Sequence, residues 1–332
     1  MVTKLFITFA HGMRRLLHIY YEMRKICISL TAIIVVWLFG ACANEVKDIS
    51  LSDAAYEAWL NDSSLIKMAV MPTLDCLPLY VAAEHGMFER HGASVSLYPY
   101  DAQMDCDTAL KDGWVNAMAT DLVRAERLKS QGMKLTYLTA TDLHWQLVAS
   151  KMARIKRLNQ IEHKMVAMTR YSATAMLVDN LVDTVKVDND HVFRVQVNDL
   201  GVRLSMLENQ VMDLLLLPEP QATAARELDA NVLYDTRQND IAMGVVVLND
   251  TTIADTTLCK RQVEAFLKAY DEACDSINNR GILFYRDVIM NRCKLKPAIV
   301  DSIPSDYQFS PSHLPLQKDV DRAEKWLKRE KK

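Results

Sequence analysis

Short apolar runs alternate with helical patterns along the chain from residue 65 to about residue 150. The run at 66–70 ends at Met71-Pro72 and predicts a buried β-strand. Residues 122–132 carry apolar positions at helical spacing and end at a glycine, which predicts a helix. By the same criteria we predict strands at 93–98, 115–118, 135–139 and 145–149, and helices at 79–89 and 108–113.

The same alternation begins again after residue 164. Strands are predicted at 165–168, 192–197, 214–217 and 241–248, and helices at 172–184 and 203–208. From residue 255 onward the pattern is purely helical, with an apolar stripe at i, i+3 and i+4 over 263–277. Strands that alternate with helices indicate an α/β fold with mostly parallel sheets.

The amino-terminal segment has the pattern of an export signal. Arg24 and Lys25 precede an apolar run of about 16 residues that ends in Gly40-Ala41-Cys42. The run is shorter than the roughly 20 residues that a membrane-spanning helix needs. A cysteine directly after Gly-Ala resembles the lipobox of bacterial lipoproteins, so we expect Cys42 to be the lipidated first residue of the mature chain.

This signal is complete from Met23, and we therefore expect translation to start at Met23 or Met13, with 1–41 removed and 42–63 serving as a tether. An uncleaved anchor helix is the alternative interpretation. Both place the rest of the chain in the cell envelope, attached to a membrane and facing the periplasm.

Composition narrows the possible functions. About 290 residues follow Cys42, enough for one large domain or two lobes of ordinary size. The net charge is −3 and the two signs are interspersed, so the chain has no basic stripe for nucleic acid. Five cysteines beyond Cys42 are widely spaced, and their spacing determines no disulfide pairing.

Motifs for catalysis or for a metal are missing from the sequence. The six histidines after the signal form no cluster and no His-x-x-x-His or Glu-x-x-His pair, so we predict no metal site. There is no nucleophile elbow, phosphate-binding loop or dinucleotide-binding motif. We therefore predict a chain without a cofactor that is not an enzyme.

Candidate ligand-binding residues follow from the ends of the predicted strands. In parallel sheets, ligands meet the carboxyl ends of the strands, where loops and helix N-termini converge. Those positions hold Asp75, Cys76, Thr120, Asp121, Thr141, His144, Arg170, Tyr171, Ser172 and Glu219. The acids suit an amine or a nitrogen heterocycle, and Tyr171 could stack on a ring, although each acid alone could equally cap a helix or pair locally.

The segment from Thr169 to Thr174 points to a different ligand. A strand that leads into Ser or Thr at a helix start presents free backbone N–H groups, which favour an anion. Arg170 could add a bidentate contact to a carboxylate, sulfonate or phosphate. On this hypothesis Arg170 and Ser172 are accessible and face Asp75 and Thr120. The alternative, that Ser172 only caps the helix, is equally open.

Four segments together resemble one family. They are 77–92 (LPLYVAAEHGMFERHG), 111–121 (KDGWVNAMATD), 209–220 (NQVMDLLLLPEP) and the helix pattern at 309–328. In this order they are similar to the periplasmic solute-binding proteins of ABC importers for nitrate, sulfonates, taurine and thiamine precursors. The resemblance implies a type 2 periplasmic-binding fold, with two α/β lobes joined by two crossing strands and with C-terminal helices.

The resemblance also implies the domain boundaries and the function. Lobe one would be 64–146 plus 247–332, lobe two 147–246, and the crossing strands 145–149 and 241–248. The chain would be a lipid-anchored monomer that captures a small organic solute by hinge closure and delivers it to an ABC permease and ATPase. Two alternatives remain open: an enzyme of menaquinone or pyrimidine synthesis on the same fold, or a surface lipoprotein without a transport role.

Overall fold

The protein is described here by a computed structural model, which covers residues 65–250 and 256–330. Ten strands follow one another in the chain: β1 (Ile66–Val70), β2 (Val95–Pro99), β3 (Ala117–Asp121), β4 (Leu135–Thr141), β5 (Trp145–Ala149), β6 (Lys164–Met168), β7 (Val192–Gln196), β8 (Leu214–Pro218), β9 (Asn231–Asp235) and β10 (Gly244–Asn249). The described part of the chain is thus a mixed α/β structure. The predicted signal and Cys42 lie outside it.

Seven α-helices lie between the strands within residues 65–227: α1 (Leu77–Glu84), α2 (Met87–His91), α3 (Gln103–Lys111), α4 (Leu122–Ser130), α5 (Ala173–Val185), α6 (Leu200–Glu208) and α7 (Gln221–Glu227). Four more form the C-terminal part: α8 (Thr256–Arg280), α9 (Arg286–Cys293), α10 (Pro297–Asp301) and α11 (Gln317–Glu330). None of the helices in the described ranges is both long and apolar enough to cross a membrane.

The strands form two separate five-stranded sheets. The first has the order β2-β1-β3-β10-β4, with β1 parallel to β2 and β3, and β10 antiparallel to β3 and β4. The second has the order β7-β6-β8-β5-β9, with β6 parallel to β7 and β8, and β5 antiparallel to β8 and β9. The central strands β1, β3, β8 and β10 are buried along their whole length, and most of their residues are apolar.

The chain passes between the two sheets twice. It leaves the first sheet after β4 and enters the second at β5, and it returns between β9 and β10. In each sheet the strand that follows a crossing lies antiparallel to its neighbours. The predicted α/β class with two sheets and C-terminal helices is confirmed, whereas the lobe boundaries given above stay a prediction.

Local differences from the predicted elements have physical causes. The predicted helix at 79–89 is two helices, because Gly86 has φ 63° and begins α2 in the left-handed region. Strand β9 was not predicted, since it is only partly buried and has polar residues at both ends, Asn231 and Asp235. Helix α3 begins at Gln103, earlier than the predicted residue 108.

The last helix, α11, packs against α4, which follows β3 of the first sheet, and against α5, which follows β6 of the second. Its Trp326 donates a hydrogen bond from Nε1 to Oδ2 of Asp179 on α5 over 2.8 Å. Farther along α11, Arg329 forms an ion pair with Asp183, which is also on α5, at 3.1 Å. The C-terminal helix is therefore attached to the helices of both sheets.

Candidate functional site

The carboxyl ends of the strands of both sheets meet in a cleft. The backbone N–H of Leu74, after β1, donates to the carbonyl oxygen of Glu219, after β8, over 2.8 Å. Gln221 donates from Nε2 to the carbonyl oxygen of Pro72 over 2.7 Å. The two sheets are thus held in direct contact, and the cleft is closed in this structure.

A cavity of about 20 Å³ lies at the centre of this cleft. It is lined by Met71, Thr73, Asp75, Cys76, Gln103, Ala119, Thr120, Leu143 and Trp145. Since a water molecule requires roughly 10–15 Å³ of such space, the cavity can hold water but no organic solute. The predicted residues Asp75, Cys76 and Thr120 are all in its wall.

Asp75 is the carboxylate of this cavity. Its Oδ2 accepts a hydrogen bond from Oγ1 of Thr141 over 3.0 Å, while Oδ1 has no partner among the described residues. Burial raises the pKa of Asp75 above its usual value, against the smaller opposing effect of its hydrogen bonds. A buried acceptor without a donor is costly, so this atom favours a ligand that brings an N–H or a positive charge.

Two further buried polar atoms on the cleft lack a partner in the described part of the chain. Trp145 lines the same small cavity and its indole Nε1 donates no hydrogen bond, and Oε1 of Gln221 accepts none. Gln103 donates from Nε2 to Oγ1 of Thr120 over 3.1 Å. Asp75 and Trp145 thus bring one unpartnered acceptor and one unpartnered donor to the same small cavity, whereas Gln221 does not line it.

The side chain of Asp121 connects the two sides of the cleft by hydrogen bonds. Its Oδ1 accepts from the backbone N–H of Arg124, at the start of α4, and from that of Ala173, at the start of α5, both over 3.0 Å. Burial raises its pKa to about 6, although the adjacent Arg124 and the two backbone donors act in the opposite direction. Arg124 is itself held in a buried ion pair with Asp107 of α3. Asp121 thus presents a carboxylate to the first turn of α5.

The start of α5, the predicted anion site, is already satisfied by the protein itself. Ser172 caps the helix by accepting from the backbone N–H of Thr174 over 3.1 Å, and Ala173 donates to Asp121. Only 2% of Ser172 is exposed, so the expectation that it is accessible is wrong. The cap interpretation describes Ser172, and the anion at this helix start is the side chain of Asp121.

A buried arginine lies behind this helix start. Arg203 of α6 donates from Nη2 to Oγ1 of Thr169 over 2.5 Å, and from Nη1 and Nε to the carbonyl oxygens of Leu216 and Val197 over 2.6 and 2.7 Å. All three acceptors are neutral, and burial lowers the pKa of Arg203 to about 9. This side chain, which the sequence did not single out, holds the loop before α5 against β8.

His144 and Glu219 lie in a second cavity, of about 400 Å³, beside the two chain crossings. Glu219 pairs with Arg226 at 2.8 Å, and Arg226 also donates to Oε1 of Gln146 over 2.6 Å. Burial lowers the pKa of His144, and its Nδ1 has no partner among the described residues. Among the charged residues that line this cavity, Glu219 and Arg226 form an ion pair.

Arg170 and Tyr171 lie elsewhere. They line a third cavity, of about 290 Å³, together with Asp179, Arg194 and Trp326. Tyr171 has φ 54°, and its ring packs under the guanidinium of Arg127 at 4.3 Å. The structure therefore does not bring Arg170 to Asp75 and Thr120, as the anion hypothesis expected.

Two histidines come together, contrary to the interpretation of the sequence. The ring centroids of His163 and His191 are 4.6 Å apart, and Glu162 lies beside them. Because His163 precedes β6 and His191 precedes β7, only the pairing of these two strands makes them neighbours. All five cysteines in the described ranges are free thiols.

Comparison with known proteins gives a family and a fold. The family model described as NMT1/THI5 like matches residues 73–279. No protein of curated function matches the chain.

Solved structures resemble it over most of its length. The ligand-binding component of an ABC-type import system from Staphylococcus aureus, with zinc bound, has a TM-score of 0.66 and 16% identity and covers 80% of this chain and 92% of its own. The aliphatic sulphonate-binding protein SsuA from Escherichia coli has a TM-score of 0.65 and 12% identity, and the match covers 80% of this chain and 88% of SsuA. The nitrate-binding protein NrtA from Synechocystis has a TM-score of 0.59 and 11% identity, and the match covers 75% of this chain and 74% of NrtA. At these identities the likeness establishes the fold alone.

Proposed function

Since this chain belongs to the NMT1/THI5-like family, we propose that it is the solute-binding component of an ABC importer. The fold supports this role, because one similar structure is the ligand-binding component of an ABC-type import system and two others are periplasmic binding proteins for sulphonate and nitrate. The partners would be a permease and an ATPase. We further propose that lipidated Cys42 and the tether at 42–63 hold the protein to the membrane, facing the periplasm.

The observation that carries the proposal is the set of unpartnered buried atoms at the cleft. Asp75 Oδ1 and Trp145 Nε1 are an acceptor and a donor that the protein itself leaves without a partner in the described ranges. A solute with an N–H group and an acceptor oxygen or nitrogen would satisfy both. We infer a small amine, amidine or nitrogen heterocycle, in agreement with the several acids around the cleft.

Binding requires the cleft to open. The central cavity of about 20 Å³ cannot accept such a solute, whereas hinge motion at the two crossings would separate the sheets. Opening breaks the bonds of Leu74 to Glu219 and of Gln221 to Pro72. A solute then stabilises the closed form to the extent that it binds that form more tightly than the open one.

The test compares Asp75→Asn with wild type by thermal shift and calorimetry, on a panel of amines, amidines, pyrimidines, sulfonates and carboxylates. The amide removes the charge and one acceptor, so we expect a basic ligand to lose about 1.5–3 kcal/mol of binding energy. The melting temperature without ligand stays equal or rises, because a buried carboxylate has been removed. The control is Asp112→Asn, an exposed acid at the end of α3.

A second function has one observation in its favour. The carboxylate of Asp121 already occupies the start of α5, and the cleft is filled by the protein's own side chains. A surface lipoprotein that binds no transported solute would have this closed arrangement permanently. If no compound of the panel shifts the melting temperature of wild type, this second function replaces the first. Equal ligand affinity in wild type and Asp75→Asn would instead remove Asp75 from the site.

A further inference from the structure

The register of the second sheet places two histidines side by side. Strands β6 and β7 run parallel with Lys164 opposite Val192, so the residues just before them, His163 and His191, lie next to each other. The backbone N–H of His163 donates to the carbonyl oxygen of His191 over 2.6 Å. His163 has φ 59°, a left-handed conformation that ends the preceding turn and starts the strand. The backbone thus fixes both residues at one edge.

A carboxylate completes the group. Oε1 of Glu162 lies 3.0 Å from Nδ1 of His191, which is within hydrogen-bond and ion-pair distance. One ligand atom from each of the three side chains lies within 4.8 Å of the others. Glu162 and His163 are exposed and His191 is partly exposed, so the side chains can rotate without disturbing the core.

We propose that Glu162, His163 and His191 form a binding site for a divalent transition metal, best suited to Zn²⁺. Two imidazole nitrogens and one carboxylate oxygen are a usual zinc ligand set, with the fourth position open to water. With metal–ligand distances of about 2.0–2.2 Å, tetrahedral ligand atoms lie roughly 3.4 Å apart. The Glu162–His191 pair, at 3.0 Å, is within a few tenths of an ångström of this spacing, and rotation of His163 would bring in the third ligand.

The site lies at the amino ends of β6 and β7, whereas the cleft lies at the carboxyl ends of the strands. A metal bound here is therefore not the captured solute. It would connect the turn before β6 to the short helix Asn189–His191 before β7. Because the unfolded chain does not hold these ligands together, binding stabilises the folded form.

The test uses the full chain, purified in detergent without a polyhistidine tag and treated with a chelator. ZnCl₂ is titrated by calorimetry, and Co²⁺ is added separately as a spectroscopic probe, because its visible absorption reports the ligand geometry. We expect one Zn²⁺ per chain and a rise in melting temperature. His163→Gln and His191→Gln should each weaken Zn²⁺ binding at least about tenfold, and Glu162→Gln should also weaken it.

The matched control is His85→Gln, which changes an exposed histidine of the first sheet's helices and should leave Zn²⁺ affinity unchanged. All the exchanged side chains are at the surface, and circular dichroism of each variant without metal checks that it is folded. If Zn²⁺ binds with equal affinity to wild type, His163→Gln and His191→Gln, the ion is held elsewhere, for example in the cleft. This result would overturn the proposal. The absence of stoichiometric binding to wild type overturns it as well.

Discussion

The carboxylate of Asp121, in the first sheet, accepts a hydrogen bond over 3.0 Å from the backbone N–H of Ala173, in the helix that follows β6 of the second sheet. Asp121 ends β3, and Ala173 is the first residue of α5. The positive end of a helix is a favourable place for a negative charge. The protein therefore uses a side chain of the first sheet as the anion of a helix that belongs to the second.

Asp121 should make stability depend on pH. Its pKa is about 6 in the folded protein and 3.8 as the ordinary value, so the folded state binds the proton more tightly. The contribution of Asp121 to stability is then largest at low pH, falls as the pH rises from about 4 to about 6, and is constant above that range. Asp121→Asn removes this titration and can still cap α4. Urea unfolding of both proteins between pH 4 and 7 should show that the free energy of unfolding falls less with rising pH in Asp121→Asn than in wild type. An identical pH dependence in the two proteins would contradict the raised pKa.

Arg203→Met should destabilise the protein strongly. The change leaves Thr169 Oγ1 and the carbonyl oxygens of Val197 and Leu216 without their charged donor. We expect the free energy of unfolding to fall by roughly 3 kcal/mol, measured by urea denaturation. Arg154→Met, at an exposed position, is the control and should change it by less than about 0.5 kcal/mol. A small effect at Arg203 would mean that its three bonds contribute little.

Arg170→Ala should leave solute binding unchanged. Arg170 is exposed in the cavity beside α11 rather than at Asp75, so it contacts nothing that the cleft would hold. Stability should also change by less than about 0.5 kcal/mol. Calorimetry with any ligand found for wild type is the measurement. A tenfold loss of affinity would show that the solute binds in the Arg170 cavity and would restore the anion hypothesis.

Cys42→Ala should abolish lipidation. The charged, apolar and small-residue pattern before Cys42 resembles a lipoprotein signal, which is the basis of the proposed anchor. Metabolic labelling with palmitate and intact-mass analysis should find lipid on wild type, with Cys42 as its first residue, and none on the variant. Labelled Cys42→Ala, or a mature chain that still begins at Met23, would rule out this processing site.

The strand-end rule accounts for part of the arrangement at the cleft. Asp75 and Thr120 line one cavity, because Asp75 lies on the turn after β1 and Thr120 lies near the end of the parallel strand β3; that they bind a solute stays a prediction. Arg170 obeys the same rule in sequence, yet it lies in another cavity, next to the left-handed backbone of Tyr171. Backbone conformation in a loop is not encoded in a hydrophobic pattern, so the rule could not separate the two cases.

Contacts between distant segments could not be predicted from the sequence for a related reason. The neighbourhood of His163 and His191 depends on β6 pairing with β7 in one register, and a shift by one residue would separate the rings. Gln103 and Gln221 face the cleft only because α3 and α7 begin where they do, and α7 was not predicted. The lack of a partner for the buried atoms of Trp145 and Gln221 likewise depends on the contact between the two sheets.

The attachment of α11 to the helices of both sheets turns Trp326 into a natural optical reporter. Its indole donates to Asp179 on α5, while the helix that carries it also lies against α4. Any hinge motion that separates the sheets must shift one of these two surfaces past α11. The hydrogen bond and the surroundings of the indole ring would then change, and with them the wavelength of its emission. The emission of Trp326, once that of the other tryptophans, including Trp145 in the cleft, is subtracted, would therefore report solute capture at a point remote from the cleft.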